Sequence, residues 1–153
     1  MPLLDIEHRA LAFTPATVDD KSRTVELIAS TGAGVFREDY EGRFLEVLSL
    51  GNNAVSFERL EGMPLLDNHR QDGLDSVLGV VNQARLENGQ LIMRVQVSER
   101  HEDIWRDIKA GILRNVSIGY GVNDFDDRVD RETGQRVRTV TKWTPVEVSL
   151  VPV

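Results

Sequence analysis

The sequence predicts a mainly β domain, closed or nearly closed into a barrel or sandwich, with one helix. Three observations predict it. Short runs rich in Val, Ile, Leu and Thr recur along the 153 residues, each about the length of a strand. Turn-forming clusters separate them, at Gly51-Asn52-Asn53, Glu87-Asn88-Gly89 and Glu132-Thr133-Gly134. A single clear stretch carries helical periodicity instead. Together these imply an all-β layer architecture with a helical insertion.

The elements follow in order. RALAFTP (9–15), TVELIASTGAGVF (24–36), RFLEVLSL (43–50) and AVSFERL (54–60) read as the opening strands. The apolar Met63-Pro64-Leu65-Leu66 reads as a buried strand that gives way to the polar run NHRQDG (68–73). SVLGVVNQARL (76–86) and QLIMRVQVS (90–98) flank Asn88-Gly89, which predicts a hairpin. Ser98 is placed to cap a helix, and Glu99, Glu102 and Asp103 suit the positive end of its dipole. Ile104, Trp105, Ile108 and Ile112 then share a face, expected to pack in the core, and Gly111 marks the stop. LRNVSIGYGV (113–122) and VRTVTKWTPVEVSLV (137–151) read as the last two strands, joined by a solvated charged loop, 123–135. The aspartates of that loop lack the spacing of an EF-hand.

Composition narrows the function. The size suits one domain over residues 1–153. A net charge of −7 and a pI near 5.0 argue against a duplex nucleic-acid binder. No apolar run approaches the ~20 residues needed to span a bilayer, and the acidic N-terminus does not read as a signal peptide. There are no cysteines, which removes disulfides and thiolate chemistry and fits a cytosolic setting. The close on SLVPV, with no polar tail, reads as a fragment or as a product cut from something longer.

Parity points to chemistry. On strand 113–122, Val116, Ile118 and Tyr120 share a core face. Asn115, Ser117, Gly119 and Gly121 share the other, where small neighbours leave room around the Ser117 hydroxyl. On the last strand, Val146, Val148 and Leu150 are assigned to the core, and Trp143, Pro145, Glu147 and Ser149 to the opposite face. An antiparallel hairpin centred near Glu132 brings Ser117 and Glu147 together on the non-core side, provided the register holds. A serine alcohol needs a base, and the base needs a third group to orient it. His69, Ser117 and Glu147 are the candidates. Each has a plainer reading: a turn serine, a loop histidine, an exposed strand carboxylate. Ser49 serves as a control serine. His101, expected to be exposed, and His8 stay open as the third member. A metal-dependent hydrolase built from His69, Asp67 and Asp72 is a further alternative.

The blocks MPLLDNH (63–69), VLGVV (77–81), ARLENGQLIMRVQVS (84–98), DIWRDIKAGIL (103–113), NVSIGY (115–120) and EVSLVPV (147–153) resemble, in order and spacing, the prohead (capsid maturation) serine proteases of tailed phages. That family is similar in fold to the herpesvirus assemblins. The resemblance spans roughly residues 60–153. It implies an antiparallel β-barrel and a serine endopeptidase that cuts scaffold or capsid-protein extensions, and itself, in the bacterial host cytoplasm inside the assembling prohead. It implies catalysis by His69 and Ser117, with Glu147 carried over from EVSLVPV. The herpesvirus relatives use a second histidine after the serine, and no histidine follows Ser117 here. Scaffold and major capsid protein are the expected partners, in a homodimer or higher homo-oligomer, without nucleic acid or membrane. No metal or cofactor is expected, and backbone N–H groups are expected to form the oxyanion hole. Family members continue past VPV, so a C-terminal extension is expected to be absent here through processing or trimming. The rival reading is a non-enzymatic capsid-assembly scaffold or binding domain with a protease-like fold.

Overall fold

Period-two alternation builds the sheet. In the strand Gln90–Val97, the odd residues Leu91, Met93, Val95 and Val97 are all 0% exposed, while Arg94 and Gln96 face water. The computed structural model describes residues 7–153. Its strands run β1 (Glu7–Asp19), β2 (Thr24–Ser30), β3 (Val35–Asp39), β4 (Gly42–Leu48), β5 (Pro64–Asp67), β6 (Val77–Glu87), β7 (Gln90–Val97), β8 (Asn115–Val129) and β9 (Arg136–Val151). The helix α1 (Glu102–Lys109) lies between β7 and β8.

Among the described residues the strands form one sheet in the order β3-β4-β9-β5-β6-β7-β2-β1-β8, and β8 pairs back onto β9. The strands from β9 round to β8 therefore close a seven-stranded barrel. Closure removes the open strand edges that invite aggregation. Most pairs are antiparallel, as the sequence predicts, but β5 and β4 both pair with β9 in parallel. The core includes Leu27, Leu65, Met93, Ile118, Tyr120, Trp143 and Val148. Each such side chain contributes about 1.5–3 kcal/mol through burial. Tyr120 and Trp143 meet edge to face, with centroids 5.6 Å apart.

Five expectations about the strands and the helix need correction. The run 24–36 is two strands, because the chain breaks at Gly32, whose φ is +75°. The run 54–60 is not a strand. Only Val55 bridges to Trp143, after which the chain turns and reaches Gly62 at φ +76°. The helix ends at Lys109, leaving Ile112 outside it and 69% exposed, while Trp105 and Ile108 are buried as expected. The charged loop 123–135 is mostly strand, with a turn only over 130–135. Cation–π stacking and ion pairs hold this extension together. The Arg138 guanidinium lies 4.0 Å from the Phe125 ring centroid and 4.6 Å from that of Phe44. It also meets Asp127 through two hydrogen bonds, at 2.8 and 2.9 Å.

The fifth correction concerns parity. Tyr120 pairs with Pro145, yet Gly119 pairs with Glu147, so Val146 is an extra residue, a β-bulge. The bulge reverses the alternation of β9. Trp143 and Pro145 are buried with the core residues, not on the side of Glu147, and Val146 is only half-buried. Continuing the Tyr120↔Pro145 register by one rung would set Val146 opposite Gly119. The inserted residue sets Glu147 there instead.

At the arm, Arg136 donates to both carboxylate oxygens of Asp39, at 2.9 and 2.7 Å. These bonds, with the Glu41 backbone N–H and the charges of Arg136 and Arg138, hold the Asp39 carboxyl down from 3.8 to about 2. A depressed carboxyl favours the folded state fully above its unfolded value and loses that contribution as pH falls toward 2. Arg136→Ala should return the Asp39 titration toward 3.8, as read by carboxyl NMR, and remove this part of the pH dependence between about pH 4 and 2.

Candidate active site

β5 is short and pinned on both sides, by β6 and, in parallel, by β9. Its ladder with β9 runs one step past the strand, through the Asn68 N–H donating to the Leu150 carbonyl at 2.9 Å. The chain then reverses. The Arg70 N–H donates to the Asp67 carbonyl at 2.9 Å, closing a turn whose central residues, Asn68 and His69, have φ of 49° and 61°. Two positive central angles match a type I′ turn. Asn and His are among the residues that tolerate this region best, although each non-glycine residue held there costs about 1–3 kcal/mol. The run NHRQDG thus places a histidine at the tip of a strained turn, anchored to the barrel from behind.

That histidine meets a carboxylate. His69 Nδ1 lies 2.5 Å from Glu147 Oε1. The Glu147 side chain is 3% exposed and that of His69 is 21% exposed. The second carboxylate oxygen, Oε2, accepts from the Ser149 hydroxyl at 2.8 Å. The Ser149 oxygen accepts the backbone N–H of His69 at 3.0 Å. A proton on Nδ1 directed at Glu147 makes Nε2 the basic nitrogen of the ring, the tautomer a general base requires.

Ser117 stands on the adjoining strand. It pairs with Ser149 across β8–β9, one rung along the face from Gly119↔Glu147. Opposed residues in an antiparallel pair share a face, so Ser117, Ser149 and Glu147 all project to the side that His69 closes over. The parity reading of Ser117 and Glu147 agrees with this placement: the β8–β9 hairpin turns over 130–135, around Glu132, and sets Ser149 directly opposite Ser117. Gly119 explains how the carboxylate fits. A Cβ at that position would press into Glu147 Oε1, well inside van der Waals contact. Sequence reasoning set Gly119 beside Ser117 and Ser149 on the face of Glu147 but gave neither a role. The signals for them were the two-residue spacing from Glu147 and the small residue two places after Ser117.

The other candidates lie elsewhere. His101 sits half-buried in the 3-10 turn Glu99–His101 ahead of α1, not exposed as expected. Its Nε2 has no hydrogen-bond partner among the described residues. The backbone of His8 pairs with Gly119 from the β1 side, and its side chain lies outside the described residues. Ser49 is a turn residue whose hydroxyl accepts the Gly51 N–H. Asp67 is paired with Arg70, and the Asp72 carboxylate accepts from the Ser76 hydroxyl, so both acids of the metal reading have other partners.

Two clefts flank the His69 turn. One, of about 580 Å³, is lined by Arg59, Leu66, Leu74, Val77, Val146 and Glu147. The other, of about 370 Å³, is lined by Asn68, Leu78, Ile104, Leu113, Leu150 and Pro152. A larger polar cavity of about 630 Å³ between Thr17, Thr24 and Arg94 touches none of these groups. An extended chain lying across the turn would have apolar side-chain sites on either hand.

Three comparisons bear on this geometry. A family model described as Caudovirus prohead serine protease matches residues 19–153. The major capsid protein of Halomonas phage phiHAP-1 is 38% identical over 114 residues, covering 71% of this chain and 19% of that protein. The chain therefore spans about a fifth of the length of that curated relative. The solved bacteriophage T4 capsid assembly protease, gp21, superposes with a TM-score of 0.50 over 97% of this chain and 99% of that one. At 13% identity this likeness concerns the fold.

The glycine contact is testable on the folded protein. Gly119→Ala should push the Glu147 carboxylate away from His69 Nδ1, destabilise the domain by about 1–3 kcal/mol, and weaken the low-field Nδ1–H proton resonance. An unchanged resonance and melting temperature in the Gly119→Ala variant would show that the carboxylate can be held elsewhere.

Proposed function

The chain belongs to the Caudovirus prohead serine protease family, and from this premise we propose that it is an endopeptidase that matures the phage head. Its substrates are scaffold or capsid-protein extensions and the protein's own precursor, cut inside the assembling prohead in the host cytoplasm. One observation carries the reading: the imidazole of His69 is bound to Glu147, whose register on β9 gives it the same face of the β8–β9 ribbon as Ser117.

In this reading Ser117 Oγ attacks the scissile carbonyl carbon while its proton passes to His69 Nε2. The tetrahedral intermediate collapses, the C–N bond breaks, and the imidazolium returns the proton to the leaving amine. Water then hydrolyses the acyl-enzyme by the same route, with His69 again as base. Glu147 keeps the imidazole in the productive tautomer and stabilises its charged form. Seating a nucleophile on a strand within a closed barrel limits its drift, which matters because misplacement by about 1 Å can cost on the order of 10²-fold.

The similarity to about a fifth of a protein named as a major capsid protein favours a substrate within the coat itself. The non-enzymatic assembly domain makes the opposite prediction on a direct test. A fluorophosphonate probe should label the wild-type protein on Ser117 and leave Ser117→Ala unlabelled. Ser117→Ala and His69→Ala should each lower cleavage of the precursor by about 10⁴-fold or more, and Glu147→Gln by roughly 10²-fold. No labelling and no processing by the wild type would replace the protease with the assembly domain, whereas full processing by Ser117→Ala would remove Ser117 as the nucleophile.

A further inference from the structure

Ser149 is fully buried, and both uses of its hydroxyl are committed. The O–H donates to Glu147 Oε2 at 2.8 Å, and the oxygen accepts the His69 N–H at 3.0 Å. One small side chain thereby touches both members of the imidazole–carboxylate pair, the carboxylate directly and the imidazole through its backbone. We propose that Ser149 is a positioning residue that sets the His69–Glu147 geometry. The proposal rests on the assignment of His69 as base and Glu147 as its orienting group.

Two plainer roles fit less well. Ser149 is not a second nucleophile, because it is closed off from solvent and its proton already goes to Glu147. It is not an ordinary strand residue either, since its face is crowded with polar groups that need partners. Removing the hydroxyl would take one hydrogen bond from Oε2 of a buried carboxylate and one from a turn N–H at once. The turn depends on this contact particularly. The last β5–β9 ladder bond ends at Asn68, and the Arg70 N–H bond closes only within the turn. At His69, where the backbone is left-handed, the Ser149 hydroxyl ties the turn's backbone to β9, beside the bond from the ring to Glu147.

Gly119 and Ser149 divide the task of confining the carboxylate. The absent Cβ at Gly119 lets Oε1 sit where a methyl group would be. The Ser149 hydroxyl holds Oε2 and so stops the group from rotating about its last torsion, a broad torsion with no strong preference of its own. Glu147 is then aimed at Nδ1 before any substrate arrives.

The test compares Ser149→Ala, Ser149→Thr and Ser149→Cys with the wild type in kcat, KM, melting temperature and the His69 Nδ1–H resonance. Ser149→Ala should lower kcat by roughly 10- to 100-fold, as expected for loss of a partner that orients a reacting group. KM should stay within about twofold, and the resonance should move upfield or broaden. Ser149→Thr keeps a γ-hydroxyl and should recover most of kcat and the resonance. Ser149→Cys keeps the shape with a weaker donor and should fall between Ala and wild type, and it decides the matter if the alanine variant does not fold. Wild-type kcat and resonance in a folded Ala or Cys variant would overturn the proposal. So would a folded Thr variant as impaired in kcat as alanine. The resonance separates the two readings: if Ser117→Ala still cleaves, a resonance lost in Ser149→Ala supports the positioning role while the assigned chemistry fails.

Discussion

A carboxylate taken out of water is tolerated only when donors meet its oxygens, and Glu147 imposes that condition on everything around it. One oxygen is met by the imidazole of His69 and the other by the hydroxyl of Ser149. These donors come from different segments, a turn after β5 and a position further along β9. The condition can be satisfied only if β5 lies alongside β9, and the parallel β5–β9 pairing in the closed barrel puts it there. Closure of the barrel is thus a requirement of the site as much as a source of stability.

The same condition explains two local irregularities. The bulge at Val146 interrupts a regular ladder, which weakens pairing, but it turns Glu147 to the face of Ser117 and lets Trp143 pack against Tyr120. The left-handed pair Asn68-His69 is strained, but it lets the imidazole fold back over β9. Each costs stability locally, and each is surrounded by structure rigid enough to hold it. The arm built from β3, β4 and the outer parts of β8 and β9 has register shifts of its own, between Val122 and Phe125. Arginine stacking on Phe44 and Phe125 and paired carboxylates carry it.

Much of this was legible beforehand, and particular residues show why. Asn88-Gly89 forms the β6–β7 turn, with φ of 51° and 71°, because a tight hairpin needs two residues that accept positive φ. Val116, Ile118 and Tyr120 are buried because alternation is a local property of a strand. Ser98 caps the start of the helical segment by accepting the Arg100 N–H, as its position suggested. Residues 123–129 were misread because a charged run looks like a loop until strand pairing sets Arg138 opposite Asp127 to neutralise it. Ala54 and Val55 were misread because one bridge to Trp143 satisfies an apolar pair without a strand. The face of Trp143 was misread because strict alternation passes over Pro145, a residue that sheets admit at bulges.

The sequence alone determined the class of fold, the strand that bears Ser117, the turn that bears His69 and the set of side chains able to do acid–base work. These follow from alternation, turn chemistry and residue type, all of which act over a few neighbouring positions. Tertiary structure decided that β9 carries one extra residue, that β5 runs parallel to it, and that Gly119 leaves the space a carboxylate fills. It also decided that Ser149 faces inward to Glu147 instead of outward to water. Those outcomes depend on which strands become neighbours and at what register. Register is set by the packing of the whole barrel and not by any one segment.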